Sequence, residues 1–214
     1  HVRSRRQRQM CIRDSAHLVY DADRQYPIGG INPRPPLFTW SLALGAMGLT
    51  PFVGDDAVWW SMLALPAVYG ALTIIPVATI AKDHFGKATG VIAAWLLVFM
   101  PAHVTHSTWG LADHDSFVML FIAIGFMFYL RAVKYAGSER LVRTTSIHPM
   151  DMLRAMGSVA QQRKYAMANA VLAGVAFGAA SLGWKGFVVG PSILFLAYAS
   201  QVALNMFRRR DSTI

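Results

Sequence analysis

Long apolar stretches separated by short polar links organise this chain. A membrane-crossing helix needs about twenty mostly apolar residues. Residues 57–81 and 88–106 meet that length, and 116–133 is shorter but almost uninterrupted. Residues 166–184 are rich in Gly and Ala, which suits close packing against neighbouring helices. Residues 186–207 form the last such stretch. The run 37–49 is also apolar, but it is short and follows Pro33, Pro35 and Pro36. That length suits an interfacial or re-entrant helix rather than a span. The pattern predicts an all-α, polytopic helical membrane protein with about five spans and one short external helix.

Charge orients those elements. The chain has 214 residues, 55% hydrophobic and only 14% charged, with a formal net charge of +9. Soluble domains carry roughly a quarter charged residues. In a soluble protein such a positive balance would point to nucleic acid. Here the cations lie in links beside apolar runs, where membrane orientation requires them, so no nucleic-acid partner is expected. With five spans, Lys82, Lys87, Arg131, Lys134, Arg140, Arg143, Arg154, Arg163, Lys164 and Arg208 to Arg210 fall on one side. Asp55, Asp56, Asp113, Asp115 and Lys185 fall on the other. The cation-rich side is expected to be cytoplasmic and the acidic side extracytoplasmic. This divides the chain into an external segment 16–56, a helical membrane domain 57–207 and a cytoplasmic tail 208–214. In the link 134–165, Met150, Leu153, Met156 and Gly157 share one helical face and read as an interfacial helix or an ordered linker.

Residues 1–15 stand apart. They carry Arg3, Arg5, Arg6, Arg8 and Arg13 against Asp14 and show no apolar periodicity. They are similar to translated adaptor text, with CIRDS as its core, and are expected to be non-native or a disordered basic tail. The chain's one cysteine, Cys11, lies there, so no disulfide within the chain is possible.

The loop 111–116 concentrates the chemistry. Asp113 and Asp115 stand two apart where one apolar stretch ends and the next begins. Carboxylates this close, beside hydrocarbon, repel each other and resist desolvation. A hard divalent cation such as Mg²⁺ or Mn²⁺ would relieve both problems. The plainer reading is a solvated loop with Asp115 capping the next helix. His103 and His106 share a helical face, and with Asp113 they would suit a zinc site, as in a membrane metallohydrolase. The plainer reading there is interfacial histidines. Trp184 sits in a tight second turn, at the depth of an interfacial anchor. Asp21, Asp23, Arg24 and Arg34 lie on the same aqueous side as Asp113, either in a structural loop or in a substrate groove.

Four stretches, in order, resemble the catalytic subunit of the oligosaccharyltransferases in its archaeal form. YPIGGINPRPPLFTW resembles the first external loop of that family. AKDHFGKATGVIAAWLLVFMPAHVTHSTWGLADHDSF resembles its second cytoplasmic link, third helix and second external loop. FMFYLRAVK resembles the end of its fourth helix, and SLGWKGFVV a later small-Trp-Gly turn. The resemblance runs from about Tyr20 to Phe207. It implies a C-type glycosyltransferase-like bundle that moves an oligosaccharide from a dolichol phosphate or pyrophosphate carrier to asparagine in an Asn-X-Ser/Thr sequon of an acceptor protein. It implies that Asp113 and Asp115 are the catalytic, metal-holding pair, with Mn²⁺ or Mg²⁺ as cofactor. His106, His114, Trp184 and Arg34 would then contact substrate.

The sequence also departs from that family. It has His106 where the family has an arginine seven residues before the first acid of the pair. The family's earlier catalytic aspartate has no secure match, since Asp21 and Asp23 come too late. The WWDYG sequon-binding motif is absent, and Trp59-Trp60 continues into Ser-Met instead. A fragment of the enzyme, truncated at both ends and inactive alone, is therefore expected. The alternative is a transporter or other non-enzymatic polytopic protein. A transporter would place ionisable residues near the bilayer midplane or break its helices there.

Overall fold

The computed structural model describes residues 20–21, 30–31, 35–111, 113–136, 150 and 164–207. Strands β1 (Tyr20–Asp21) and β2 (Gly30–Ile31) form a minimal antiparallel ladder, with Tyr20 opposite Ile31. Everything else of regular structure among the described residues is helical. The helices are α1 (Leu37–Val53), α2 (Ala57–Phe85), α3 (Lys87–Val98), α4 (Pro101–His106), α5 (Asp115–Ala136), α6 (Lys164–Ser181) and α7 (Val189–Phe207). Short 3₁₀ turns at Gly54–Asp56 and Lys185–Val188 precede α2 and α7. The fold class is the all-α membrane bundle that the apolar pattern demands.

Three stretches are long and apolar enough to cross a membrane: Leu37–Phe85, Asp115–Ala136 and Lys185–Phe207. Two of the expected spans take a different form. Residues 88–106 were expected as one helix and are found as α3 and α4, parted at Phe99 and Met100. Pro101 is the cause. It has no N–H to donate, and it pushes the residue before it out of helical geometry. Met100 is accordingly extended, at φ −71° and ψ 114°. The segment nevertheless keeps one course, antiparallel to α2. Gly90 lies against Ala78 and Lys82, His103 and Ser107 lie against Gly70, and the Gly110 N–H donates to the Leu63 carbonyl at 3.2 Å. The break itself offers only Phe99 and Met100 and no ionisable side chain. The other case is α6, whose 18 residues include Lys164 and Asn169 and are shorter than a full span.

The apolar run at 37–49 is helical as expected and extends to Val53. Helix α1 turns at Gly54–Asp56 and packs back on the first part of α2, where the Ser61 hydroxyl donates to the Leu42 carbonyl at 2.6 Å. The start of α1 reaches across the bundle, because the Leu37 N–H donates to the Leu182 carbonyl at 2.9 Å.

The core joins α5 and α6 through small residues. Ala173, Ala176 and Ala180 are buried, and Phe126 meets Phe177 edge to face at 5.7 Å. Small side chains let helices approach closely, as packing in lipid requires. Phe117, Val118 and Ala180 are the centre of a cluster that also takes in Leu37, Phe38, Tyr69 and Phe187. The outer faces stay apolar: Leu44, Trp95, Leu96, Phe195 and Leu196 are all more than half exposed. Exposure of that extent is out of place on a water-facing monomer and ordinary for a lipid-facing one.

The two ends of α5 carry opposite chemistry. At its last turns the Arg131 guanidinium donates to Asp83 Oδ2 at 2.7 Å, and Lys134 Nζ donates to the Asp83 carbonyl at 2.9 Å. At its first turn stands Asp115. Sixteen residues on one helix separate Asp115 from Arg131 by about 24 Å, close to the thickness of a bilayer's hydrocarbon.

Candidate functional site

The site is built at the start of α5, from three pieces of backbone that the chain brings back to one place. Helix α4 presents His106 at its last residue. Its course is held by His103, whose Nε2 lies 3.2 Å from the Gly70 carbonyl, and by the Ser107 side chain, which sits directly on Gly70. A β-carbon at Gly70 would collide with Ser107, so this close approach requires glycine. The loop then turns at Gly110, whose φ of 94° lies in the left-handed region that glycine adopts without strain. Asp113 and His114 follow, and the Val118 N–H donates to the His114 carbonyl, which starts α5 with Asp115 in its first turn. Asp115 thus stands just inside the helix rather than at its cap. Its charge suits the positive end of the helix dipole.

Both acids face the same ring of histidines. His106 Nδ1 lies 2.8 Å from Asp115 Oδ2. His114 Nδ1 lies 2.7 Å from Asp113 Oδ1, and the His114 backbone N–H donates to that same oxygen at 2.7 Å. His114 Nε2 is 3.7 Å from Asp115 Oδ1, beyond a hydrogen bond. One donor atom each from His106, Asp113 and Asp115 fall within 4.8 Å of one another. These side chains are open to solvent: 54% of His106, 39% of Asp113 and 36% of Asp115 is exposed. An ion could therefore reach them.

Two further elements close the flank of the site. Phe38, at the start of α1, sits edge-on to the His114 ring at 6.4 Å and to Phe117 at 5.9 Å. Trp184, in the turn after α6, lies 6.1 Å from His114. Tyr69 completes the floor against Phe117 at 5.3 Å.

Measured against the sequence-derived residues, the structure brings Asp113, Asp115, His106, His114 and Trp184 together. Arg34, with Asp23 and Arg24, lies outside the described residues. The zinc set of His103, His106 and Asp113 is not assembled, because His103 is spent on the Gly70 carbonyl at the α2 contact. Phe38 was not expected here. Its only sequence signal is its place just after Pro35 and Pro36, where the chain must re-enter the bundle.

A helical membrane bundle with a solvent-open carboxylate–imidazole cluster at one end is the class that fold and site define together. A family profile described as oligosaccharyl transferase STT3, N-terminal, matches residues 6–210. The dolichyl-monophosphooligosaccharide–protein glycotransferase AglB of Haloferax volcanii is 29% identical over 159 residues, covering 73% of this chain and 14% of the relative. The dolichyl-phosphooligosaccharide-protein glycotransferase 3 of Archaeoglobus fulgidus is 26% identical over 212 residues, covering 95% of this chain and 22% of the relative. A solved structure is similar in fold: the archaeal oligosaccharyltransferase AglB from Archaeoglobus fulgidus, in complex with an inhibitory peptide and a dolichol-phosphate. It superposes with a TM-score of 0.71 at 21% identity, over 94% of this chain and 21% of that one. The chain belongs to the oligosaccharyl transferase STT3 family, within its N-terminal membrane region. It spans about a fifth or less of the length of these relatives.

Proposed function

We propose that this chain is the N-terminal membrane part of an oligosaccharyltransferase catalytic subunit, and that Asp113 and Asp115 carry its chemistry. The observation that carries this reading is the convergence of both acids with His106 at one end of the bundle, in a chain matched along residues 6–210 by the family. The reaction moves an oligosaccharide from a dolichol phosphate or pyrophosphate carrier to asparagine in an Asn-X-Ser/Thr sequon. An N-glycosidic bond forms at the anomeric carbon, the C–O bond to the carrier phosphate breaks, and one amide proton is released.

An amide nitrogen is a poor nucleophile because its lone pair is delocalised. Carboxylates that accept its N–H hydrogens favour a more reactive form and hold it on the line of attack. Asp113 and Asp115 stand at one edge of the bundle, where a peptide arriving from water and a lipid phosphate at the bilayer surface can meet. The donor set, two carboxylates and an imidazole, fits a divalent cation of the Mn²⁺ or Mg²⁺ kind. Held by Asp113 and Asp115, such an ion would offset the charge developing on the departing phosphate. His114 keeps the Asp113 carboxylate aimed through its ring and its backbone N–H. Trp184 and Phe38 wall the site on the side of α1 and the α6–α7 turn. The loops that bear the site are assigned to the extracytoplasmic side, because the opposite end of α5 carries Arg131 and Lys134.

Because the chain spans so little of its relatives, the test uses the full-length protein in detergent. A lipid-linked oligosaccharide and a fluorescent sequon peptide are the substrates. Asp113→Ala should reduce the rate of glycopeptide formation at least about 100-fold, as loss of an electrostatic catalytic group does. Undiminished transfer by that variant would overturn the assignment.

A further inference from the structure

We infer that His106 is a third direct ligand of the divalent ion at this site, and that it biases the site toward Mn²⁺ over Mg²⁺. The inference rests on the reading above that Asp113 and Asp115 hold an ion. It goes further in naming the third ligand and the class of ion.

The geometry supports a ligand rather than a passing contact. Donors bound to one ion at about 2.1 Å lie about 3 Å apart when adjacent in an octahedron and about 4.2 Å apart when opposite. His106 Nδ1 and Asp115 Oδ2 are 2.8 Å apart, a hydrogen-bonding contact whose length also matches an adjacent-ligand edge. One donor atom from each of the three residues falls within 4.8 Å of the others, so the widest separation exceeds the opposite-ligand distance by about 0.6 Å at most. The imidazole is also presented by a braced segment. His103 lies on the Gly70 carbonyl and Ser107 on Gly70 itself, and beyond them Gly110 is tied to Leu63. Both sides of His106 are thereby fixed to α2, so little ordering is left for the ion to impose.

His114 does not compete for the role. Its Nδ1 and its backbone N–H are both directed at Asp113 Oδ1, which makes it the residue that orients a ligand. His106 instead meets Asp115 from the opposite side of the pair, through Oδ2 rather than Oδ1.

The chemical consequence follows from the donor set. Two carboxylates alone serve Mg²⁺ and Mn²⁺ about equally, since both accept oxygen ligands. Mg²⁺ prefers an all-oxygen shell and gives up water reluctantly, whereas imidazole suits the transition ions. Adding one imidazole therefore raises Mn²⁺ affinity and leaves Mg²⁺ affinity nearly unchanged.

The test reads the ion directly. Mn²⁺ is titrated into the full-length protein in detergent, followed by electron paramagnetic resonance, with pulsed detection of ¹⁴N coupling to the bound ion. The wild-type protein should show directly bound nitrogen. His106→Ala should abolish that coupling and weaken Mn²⁺ at least about tenfold, while Mg²⁺, measured by competition, shifts less than about threefold. His114→Ala should keep the nitrogen coupling. If the wild type binds Mn²⁺ without nitrogen coupling, or if the coupling survives in His106→Ala, the third-ligand assignment is overturned while the Asp113 and Asp115 site stands. Mn²⁺ binding that is unchanged in Asp113→Ala overturns both.

Discussion

Two carboxylate sites, one at each end of α5, differ in how completely their charge is matched by a permanent cation. Asp83 is held by Arg131 at 2.7 Å, with Lys134 on its own backbone carbonyl. The guanidinium never gives up its proton, so that pair holds wherever the carboxyl is ionised. Among the described residues, Asp113 and Asp115 have no guanidinium partner. Among the described residues, their ion-pair contacts are with His106 and His114 alone. Two adjacent negative charges with only imidazoles against them leave room for a cation from solution. The permanent pair locks α2 to α5, and the incomplete pair is available for chemistry.

Exchanging the roles of the two sites is the strongest way to break this comparison. On the proposed function, Asp115→Asn in the full-length protein should cost at least about 100-fold in transferase rate and leave the thermal midpoint in detergent nearly unmoved. Asp83→Asn should do the reverse, keeping activity within about threefold. A variant at Asp83 that silences the enzyme without unfolding it would erase the distinction. Ion binding gives the second contrast. Saturating Mn²⁺, at about 100 times its dissociation constant, should stabilise the wild type by about 2.7 kcal/mol. That gain should vanish in Asp115→Asn and persist in Asp83→Asn, as scanning calorimetry would show.

Gly70→Ala tests whether the site depends on the seat of α4. The added methyl meets Ser107, so α4 must move off α2, at a cost of about 1–3 kcal/mol for overpacking. Activity should fall with it, because His106 and the loop move together. Smaller still is Arg131→Ala, expected to cost about 1 kcal/mol, since the pair is partly exposed and solvent screens part of the attraction.

How much of this was legible in the chain depends on the distance over which each feature is decided. The helices follow from apolar run length, and the Ala-rich composition of 166–184 foretells its close packing on α5. The pair Asp113 and Asp115 is local, two residues apart at a helix start, and so could be read directly. The division of 88–106 was also written locally, in Pro101, but the length of the apolar run concealed it. His103 and His106 look equivalent in sequence, three residues apart on one face. Only the packing of α4 on α2 turns one to the Gly70 carbonyl and leaves the other beside Asp115.

An all-α membrane protein, the acidic loop and the family are all legible along the chain, because burial length, turn chemistry and motif are properties of neighbouring residues. Helix docking selects which histidine joins the acids, and brings Phe38 and Trp184 to His114. The two aromatic contacts link positions 70 or more residues apart, and His103 is drawn away by Gly70, 33 residues before it. Their existence depends on how α1, α4 and the turn after α6 dock on α2 and α5, which no local pattern encodes.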